Sequence, residues 1–115
     1  MTDNCLFCRV VRGEIPAKIV AETSECVAFR DINPQAPVHV LVIPKRHVAS
    51  LDAATDGDAE LLGRMALLAA QVARDENISD SGYRTVVNTN AGAGQTVFHV
   101  HAHVLGGRHL SWPPG

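Results

Sequence analysis

Residues 99–105 of this 115-residue chain read His-Val-His-Ala-His-Val-Leu, three histidines alternating with apolar residues. Alternation with period two marks a half-buried β-strand, whose successive side chains point to opposite faces. It sends Val100, Ala102 and Val104 into a core and lines up three imidazoles on the other face, roughly 7 Å apart. Three of the chain's six histidines on one strand face make a poor core and a good site. Two chemistries fit the pattern. His-x-His is a common chelating pair for zinc, but the outer imidazoles stand about 13 Å apart at the backbone and do not converge easily on one ion. No Asp or Glu lies within the strand to complete an open catalytic metal site. Histidine-based nucleophilic or acid–base catalysis is the other reading.

The length fits one domain spanning residues 1–115, with a core large enough to fold. Apolar residues make up 46% and charged residues 19%, an ordinary globular balance. A formal net charge of −2 gives no bulk attraction to nucleic acid or anionic membrane, so neither is expected as a partner. The apolar runs fall short of the ~20 residues that span a bilayer. Residues Met1, Thr2, Asp3 and Asn4 have neither the basic region nor the apolar stretch of a signal peptide, so a cytoplasmic location is expected. In a reducing compartment, Cys5 and Cys8 at C-x-x-C spacing suggest metal or redox chemistry before a structural disulfide. Cys26 falls within a β-prone run and reads as core.

Along the chain, residues 5–12 read as a short helix or turn ended by Gly13 and Pro16. Residues 18–21 and 26–30 form a candidate hairpin, and residues 31–37 a proline-stiffened loop. Residues 38–43 are a strong strand. Residues 58–76, rich in Ala, Leu, Met and Glu, predict a helix of about 27 Å that Thr55 or Asp56 would cap. Its stripes, Leu61, Met65, Leu68, Val72 and Leu62, Ala66, Ala69, Ala73, exceed one face and suggest a partner subunit as well as a sheet. Residues 84–89 predict another strand before the loop at 90–94. The order predicts an α+β fold with a mainly antiparallel sheet of about five strands, one long helix and a short N-terminal helix.

Just upstream of the histidines, Gly92, Gly94, Gln95 and Thr96 supply close backbone approach, an amide and a hydroxyl. Backbone N–H groups in glycine-rich turns suit anionic oxygens such as phosphate. Together with residues 28–37, His39, residues 42–45, Asn88, residues 106–108 and the Trp112-Pro113-Pro114-Gly115 tail, the chain resembles the histidine triad (HIT) superfamily of nucleotide hydrolases and transferases. It is most similar to the HINT branch.

The resemblance implies roles residue by residue. His101 would attack the α-phosphorus of a nucleotide, forming a nucleotidyl-histidine. A backbone carbonyl at His99 would hold its second nitrogen. His103 would face the phosphate and leaving group, and His39 would orient from a neighbouring strand. Asp31 would bind ribose hydroxyls. Asn88, Gly94, Gln95 and Thr96 would contact ribose, phosphate or the leaving group. Leu6, Phe7, Val10, Phe29, Ile32 and Leu41 would form a purine slot, and Trp112 would reach the active site of a homodimer partner. Related bacterial members and the galactose-1-phosphate uridylyltransferase branch imply a structural zinc on Cys5, Cys8, His47 and His99, with no cofactor needed for catalysis. The implied activity is hydrolysis of purine nucleoside 5′-phosphoramidates, giving AMP or GMP. The rivals are a dinucleoside polyphosphate hydrolase or nucleotidyltransferase of the same superfamily, a nucleotide-binding regulatory module and a zinc-binding interaction module.

Overall fold

The computed structural model describes residues 4–115. The reading of the first residues as lacking a signal peptide falls largely on Met1, Thr2 and Asp3, outside the described residues. The elements in chain order are α1 (Leu6–Val11), β1 (Ile19–Glu22), β2 (Cys26–Arg30), β3 (Val38–Pro44), α2 (Ala59–Asp75), β4 (Tyr83–Val86) and β5 (Ala102–Gly106). The strands form one antiparallel sheet in the order β1-β2-β3-β5-β4. This is the α+β architecture expected, with five strands, one long helix and a short N-terminal one. Among the described residues no helix is long and apolar enough to cross a membrane.

Alternation along β3 assigns its residues to two faces. Val40 and Val42 join Cys26, Ala28, Ala102 and Val104 beneath α2, in the main core. Leu41 and Ile43 turn the other way and pack with Val27, Phe29, Phe7 and Val10 in a smaller core under α1. Val100, Ala102 and Val104 are all buried on the α2 side.

The long helix starts where a polar network fixes its first turn. Asp58 accepts from the Thr55 backbone N–H (2.9 Å) and from Arg46 (2.7 Å), tying the helix to the segment after β3. Thr55 caps a short 3-10 turn that runs into α2. Leu61, Met65, Leu68, Ala69, Val72 and Ala73 face the sheet. Ala66, expected in an apolar stripe, is exposed, as is Leu67. Asn77, at φ +61°, stops the helix, and Ile78 folds back onto β5.

Two strands are shorter than alternation predicts. The expected strand at 99–105 pairs only from Ala102 onward. The Val100 N–H donates to the Val48 carbonyl, and the His101 ring takes the His99 carbonyl, so both groups leave the ladder. Opposite them Pro44 has no N–H to offer, and its carbonyl accepts from the His99 ring. The expected strand at 84–89 correspondingly ends at Val86, the partner of His103.

Gly106 lies against Ile78, just beyond the end of α2. A Cβ there would stand 2.7 Å from Ile78 Cδ1 and 3.1 Å from its Cβ. Gly106→Ala is expected to cost about 1–3 kcal/mol by overpacking, read as a lower urea midpoint. An unchanged midpoint would show that Ile78 does not press on this strand.

Candidate active site and metal centre

The histidines occupy the α1 face of the sheet, where β3 and β5 run side by side. His103 pairs with Leu41 and His39 with Leu105, so His39 and His103 are diagonal neighbours. His39 Nε2 and His103 Nδ1 are 2.9 Å apart. The Gln35 backbone N–H, which can only donate, reaches His39 Nδ1 at 3.0 Å. A neutral His39 therefore carries its proton on Nε2 and donates it to His103 Nδ1. That in turn leaves the His103 proton on Nε2, available as a donor. Burial lowers the pKa of His39, against the pull of Asp31, and lowers that of His103 to about 4, with His101 and His39 adding to the effect. Both rings are neutral at pH 7, as this chain of donors requires.

His101 is buried and its Nδ1 lies 2.8 Å from the His99 carbonyl oxygen. A carbonyl only accepts, so Nδ1 carries a proton. The Phe7 ring stands edge-on to His101 with centroids 5.1 Å apart, and His103 lies 5.0 Å away on the other side. The His101 ring, its Nδ1–H committed to a backbone carbonyl, thus lies beside a second imidazole whose one N–H is on Nε2.

His99 is fully buried and directed elsewhere. Its Nε2–H donates to the Pro44 carbonyl (2.7 Å), so its lone pair is on Nδ1. That atom lies 3.4 Å from Cys5 Sγ, 3.5 Å from Cys8 Sγ and 3.2 Å from His47 Nδ1, while Cys8 Sγ and His47 Nδ1 are 3.3 Å apart. A tetrahedral zinc with bonds of ~2.0–2.1 Å to nitrogen and ~2.3 Å to sulfur spaces its ligands by about 3.3 Å (N to N) and 3.6 Å (S to N). The four donor atoms match those edges. Burial, reinforced by Cys5, pushes the Cys8 thiol up to about 11, and burial brings His99 down to about 4. A metal entering here displaces thiol protons and finds the His99 nitrogen already free. Asp31, His39 and His103 also cluster closely enough for an ion. There the Gln35 N–H forces a proton between the two rings, which makes it a hydrogen-bond chain and not a ligand set.

The remaining expected site residues are distributed unevenly. Asp31 lies 3.4 Å from His39 Nε2 and caps its own turn by accepting from the Asn33 N–H. Phe7, Val10, Phe29 and Leu41 close on one another in the smaller core, whereas Leu6 and Ile32 are exposed. Gln95 is buried with its amide committed to the loop: it donates to the Ala49 and Val97 carbonyls and accepts from the Asn90 N–H. Asn88 is half-buried, Gly94 adopts φ +93°, and Thr96 lines a groove of about 580 Å³ with Cys5, Leu6, His47 and Phe98. Trp112 lies against Arg84, which also donates to the Leu110 and Ser111 carbonyls. Sequence reasoning missed the backbone partners, the Pro44 carbonyl and the Gln35 N–H. It also missed Arg108, whose guanidinium holds the Gln35 carbonyl at 3.0 and 3.2 Å.

With this geometry in hand, comparison with known proteins is decisive. The family model for the HIT domain matches residues 12–110. The chain belongs to the HIT family. Uncharacterized HIT-like proteins of Synechocystis sp. and Synechococcus elongatus are 54% and 51% identical to it, each over the full length of both chains. The crystal structure of a HIT family hydrolase from Legionella pneumophila superposes with a TM-score of 0.95 at 52% identity, covering 97% of this chain and all of that one. A histidine triad nucleotide-binding protein from Candida albicans superposes with a TM-score of 0.81 at 32% identity, over 96% and 83% of the two chains.

The buried neutral histidines tie stability to pH. His103 binds its proton only near pH 4 in the folded protein, against about 6.5 in an unfolded chain. On acidification the unfolded state takes up the proton first, so stability present above pH ~6.5 is lost as the pH falls toward 4. Thermal melts should show this decline, and His103→Asn should make it shallower. An equal slope in the variant would contradict the neutral, half-buried His103.

Proposed function

We propose that this protein hydrolyses purine nucleoside 5′-phosphoramidates through a covalent nucleotidyl intermediate on His101, as a HINT-like member of its family. The observation that carries the reading is the His101–His99 hydrogen bond, which fixes a proton on Nδ1, so that the neutral form of His101 has its lone pair on Nε2. Attack by Nε2 forms an N–P bond and expels the amine with the electrons of the P–N bond. The His101 ring gains positive charge in this step, and the His99 carbonyl stabilises it. The His103 Nε2–H stabilises charge on the phosphate or leaving nitrogen. Water then attacks phosphorus and returns the electron pair to His101; the proton it loses replaces the one taken up by the departing amine, and a nucleoside monophosphate is released.

Asp31 is assigned to the ribose hydroxyls, and Asn88, Gly94 and Thr96 to the phosphate side, with Gln95 shaping their loop. Because Phe7, Val10, Phe29 and Leu41 are packed together, a purine would rest on the exposed Leu6 and Ile32 above them. The descriptions of the Legionella relative as a hydrolase and of the Candida relative as nucleotide-binding support this reading.

We assign zinc to Cys5, Cys8, His47 and His99. Four protein ligands leave no open position, so the ion's chemistry is structural: it staples α1 to the segment before β5. The homodimer reading rests on β4, an edge strand of the sheet, and on the exposed Leu67 of α2. Trp112 would then serve the partner's site.

His101→Ala should lower turnover of an adenosine phosphoramidate by about 10³-fold or more while nucleotide binding persists. Intact mass during turnover should reveal a nucleotidyl adduct on the wild type alone. Retained turnover in the variant excludes this mechanism. Faster turnover of a dinucleoside polyphosphate than of the phosphoramidate would move the protein to the rival branch, and binding without turnover of either would make it a regulatory module. Protein purified without added metal should carry about one equivalent of zinc, given the affinity of such sites. Less than about a tenth of an equivalent would exclude the ion.

A further inference from the structure

We propose that Cys5 and Cys8 are a thiol–disulfide exchange site for a small-molecule disulfide, and that closing their disulfide disturbs His101. The bond formation stands on geometry alone; its effect on turnover rests on the function proposed above.

Three observations converge on the pair. The sulfur atoms lie within 4.8 Å of each other, and the Cys8 N–H donates to Cys5 Sγ at 3.4 Å. A disulfide accepts Cα separations of about 4.4–6.8 Å, and a helical turn rises ~5.4 Å, so residues three apart at the start of α1 can be joined with little backbone movement. Access to the two sulfurs is unequal. Cys5 is half-buried and lines the groove of about 580 Å³ beside His47, Thr96 and Phe98, whereas Cys8 is 6% exposed beneath it. Cys26 has no exposed surface and stays out of the reaction.

The pair also has two routes to His101. Phe7 sits between the cysteines in sequence and places its ring edge-on against the His101 ring. His99, whose Nδ1 faces both sulfurs, holds His101 through its carbonyl.

The chemistry balances with a low-molecular-weight disulfide as oxidant. Cys5 sulfur, as thiolate, attacks one sulfur of the small disulfide, forming a mixed disulfide and releasing one small thiolate. Cys8 sulfur then attacks Cys5 sulfur, forming the Cys5–Cys8 bond and expelling the second small thiol. Two electrons pass from the protein to the small disulfide, and the protons of the two cysteines leave on the two small thiols. A joined pair offers no thiolates, so a bound zinc is released and His99 loses the partners of its Nδ1.

The test uses full-length protein and oxidised glutathione. Metal content and phosphoramidate turnover of the reduced protein are measured first, and absence of either refutes the corresponding reading above, not the exchange. Glutathione disulfide in excess should then remove two hydrogens from the intact mass and link Cys5 to Cys8 in peptide maps. It should also release zinc to a chromophoric chelator and lower turnover on the order of tenfold. A dithiol with added zinc should restore all of these. In Cys8→Ser a stable glutathione adduct should remain on Cys5, whereas Cys5→Ser should react far more slowly at Cys8. Absence of the Cys5–Cys8 link in the wild type overturns the proposal even if neither variant folds. A link that leaves turnover unchanged overturns its connection to His101, and equal reactivity of the two single cysteines overturns the assignment of Cys5 as the entry point.

Discussion

A fully buried imidazole can be stable only if both ring nitrogens find partners, and His99 is such a residue. Its Nε2–H is taken by Pro44, its Nδ1 by the sulfur and nitrogen atoms of the cluster, and its carbonyl by His101. Each of these commitments has a structural consequence. The Pro44 bond removes a carbonyl from the sheet and ends the pairing of β3 with β5. The Nδ1 lone pair turns two cysteines and His47 into a convergent donor set. The carbonyl fixes a proton on Nδ1 of His101. Remove His99 and the strand end, the Cys–His cluster and the His101 ring lose their common support.

The second support is backbone-built. Arg108 grips the Gln35 carbonyl, the Gln35 N–H fixes His39, and His39 fixes His103. Gly107, at φ +88°, lies so close to Pro37 that a Cβ would stand 3.0 Å from the proline's Cβ. The loop at 31–37 and the turn after β5 thus interlock. The same residue type also builds two clusters of opposite character. In one, a backbone donor forces a proton between imidazoles; in the other, a backbone acceptor leaves a lone pair facing thiols.

Legibility in the sequence followed how local each signal was. β-prone runs and the 3.6-residue stripe of α2 located the five strands and the long helix, because those patterns report burial along a single segment, whereas residues 5–12 read only as a short helix or turn. Element ends were misjudged wherever a backbone group bonded outside its ladder, as at residues 99–101 and 87–89, since alternation continues regardless of pairing. The cluster of Cys5, Cys8, His47 and His99 was named only through a resemblance: three of its members are scattered among unrelated segments. Gln95 illustrates the converse error. An amide beside glycines reads as a ligand contact, yet its polar atoms are engaged by backbone groups of Asn90 and Val97 and of Ala49 in the segment after β3. Nothing in residue identity distinguishes those uses. For the same reason the Pro44 carbonyl and the Gln35 N–H, which set two tautomers, were invisible.

The two faces of the sheet carry unequal burdens. Beneath α2 a large apolar cluster supplies most of the burial, and that 17-residue helix has nearly five turns over which to cooperate. α1 has six residues, too few to be stable alone, and docks through Phe7 and Val10 on a much smaller core. Yet α1 carries the ring that packs on His101. A short helix with little apolar area to hold it gains most from a crosslink at its start, and that is where Cys5 and Cys8 lie. The position of the sulfur atoms is therefore best understood through the weakness of the element they anchor. Phe7 packs both in the smaller core and on His101, and the cluster around His99 meets α1 at its first residues.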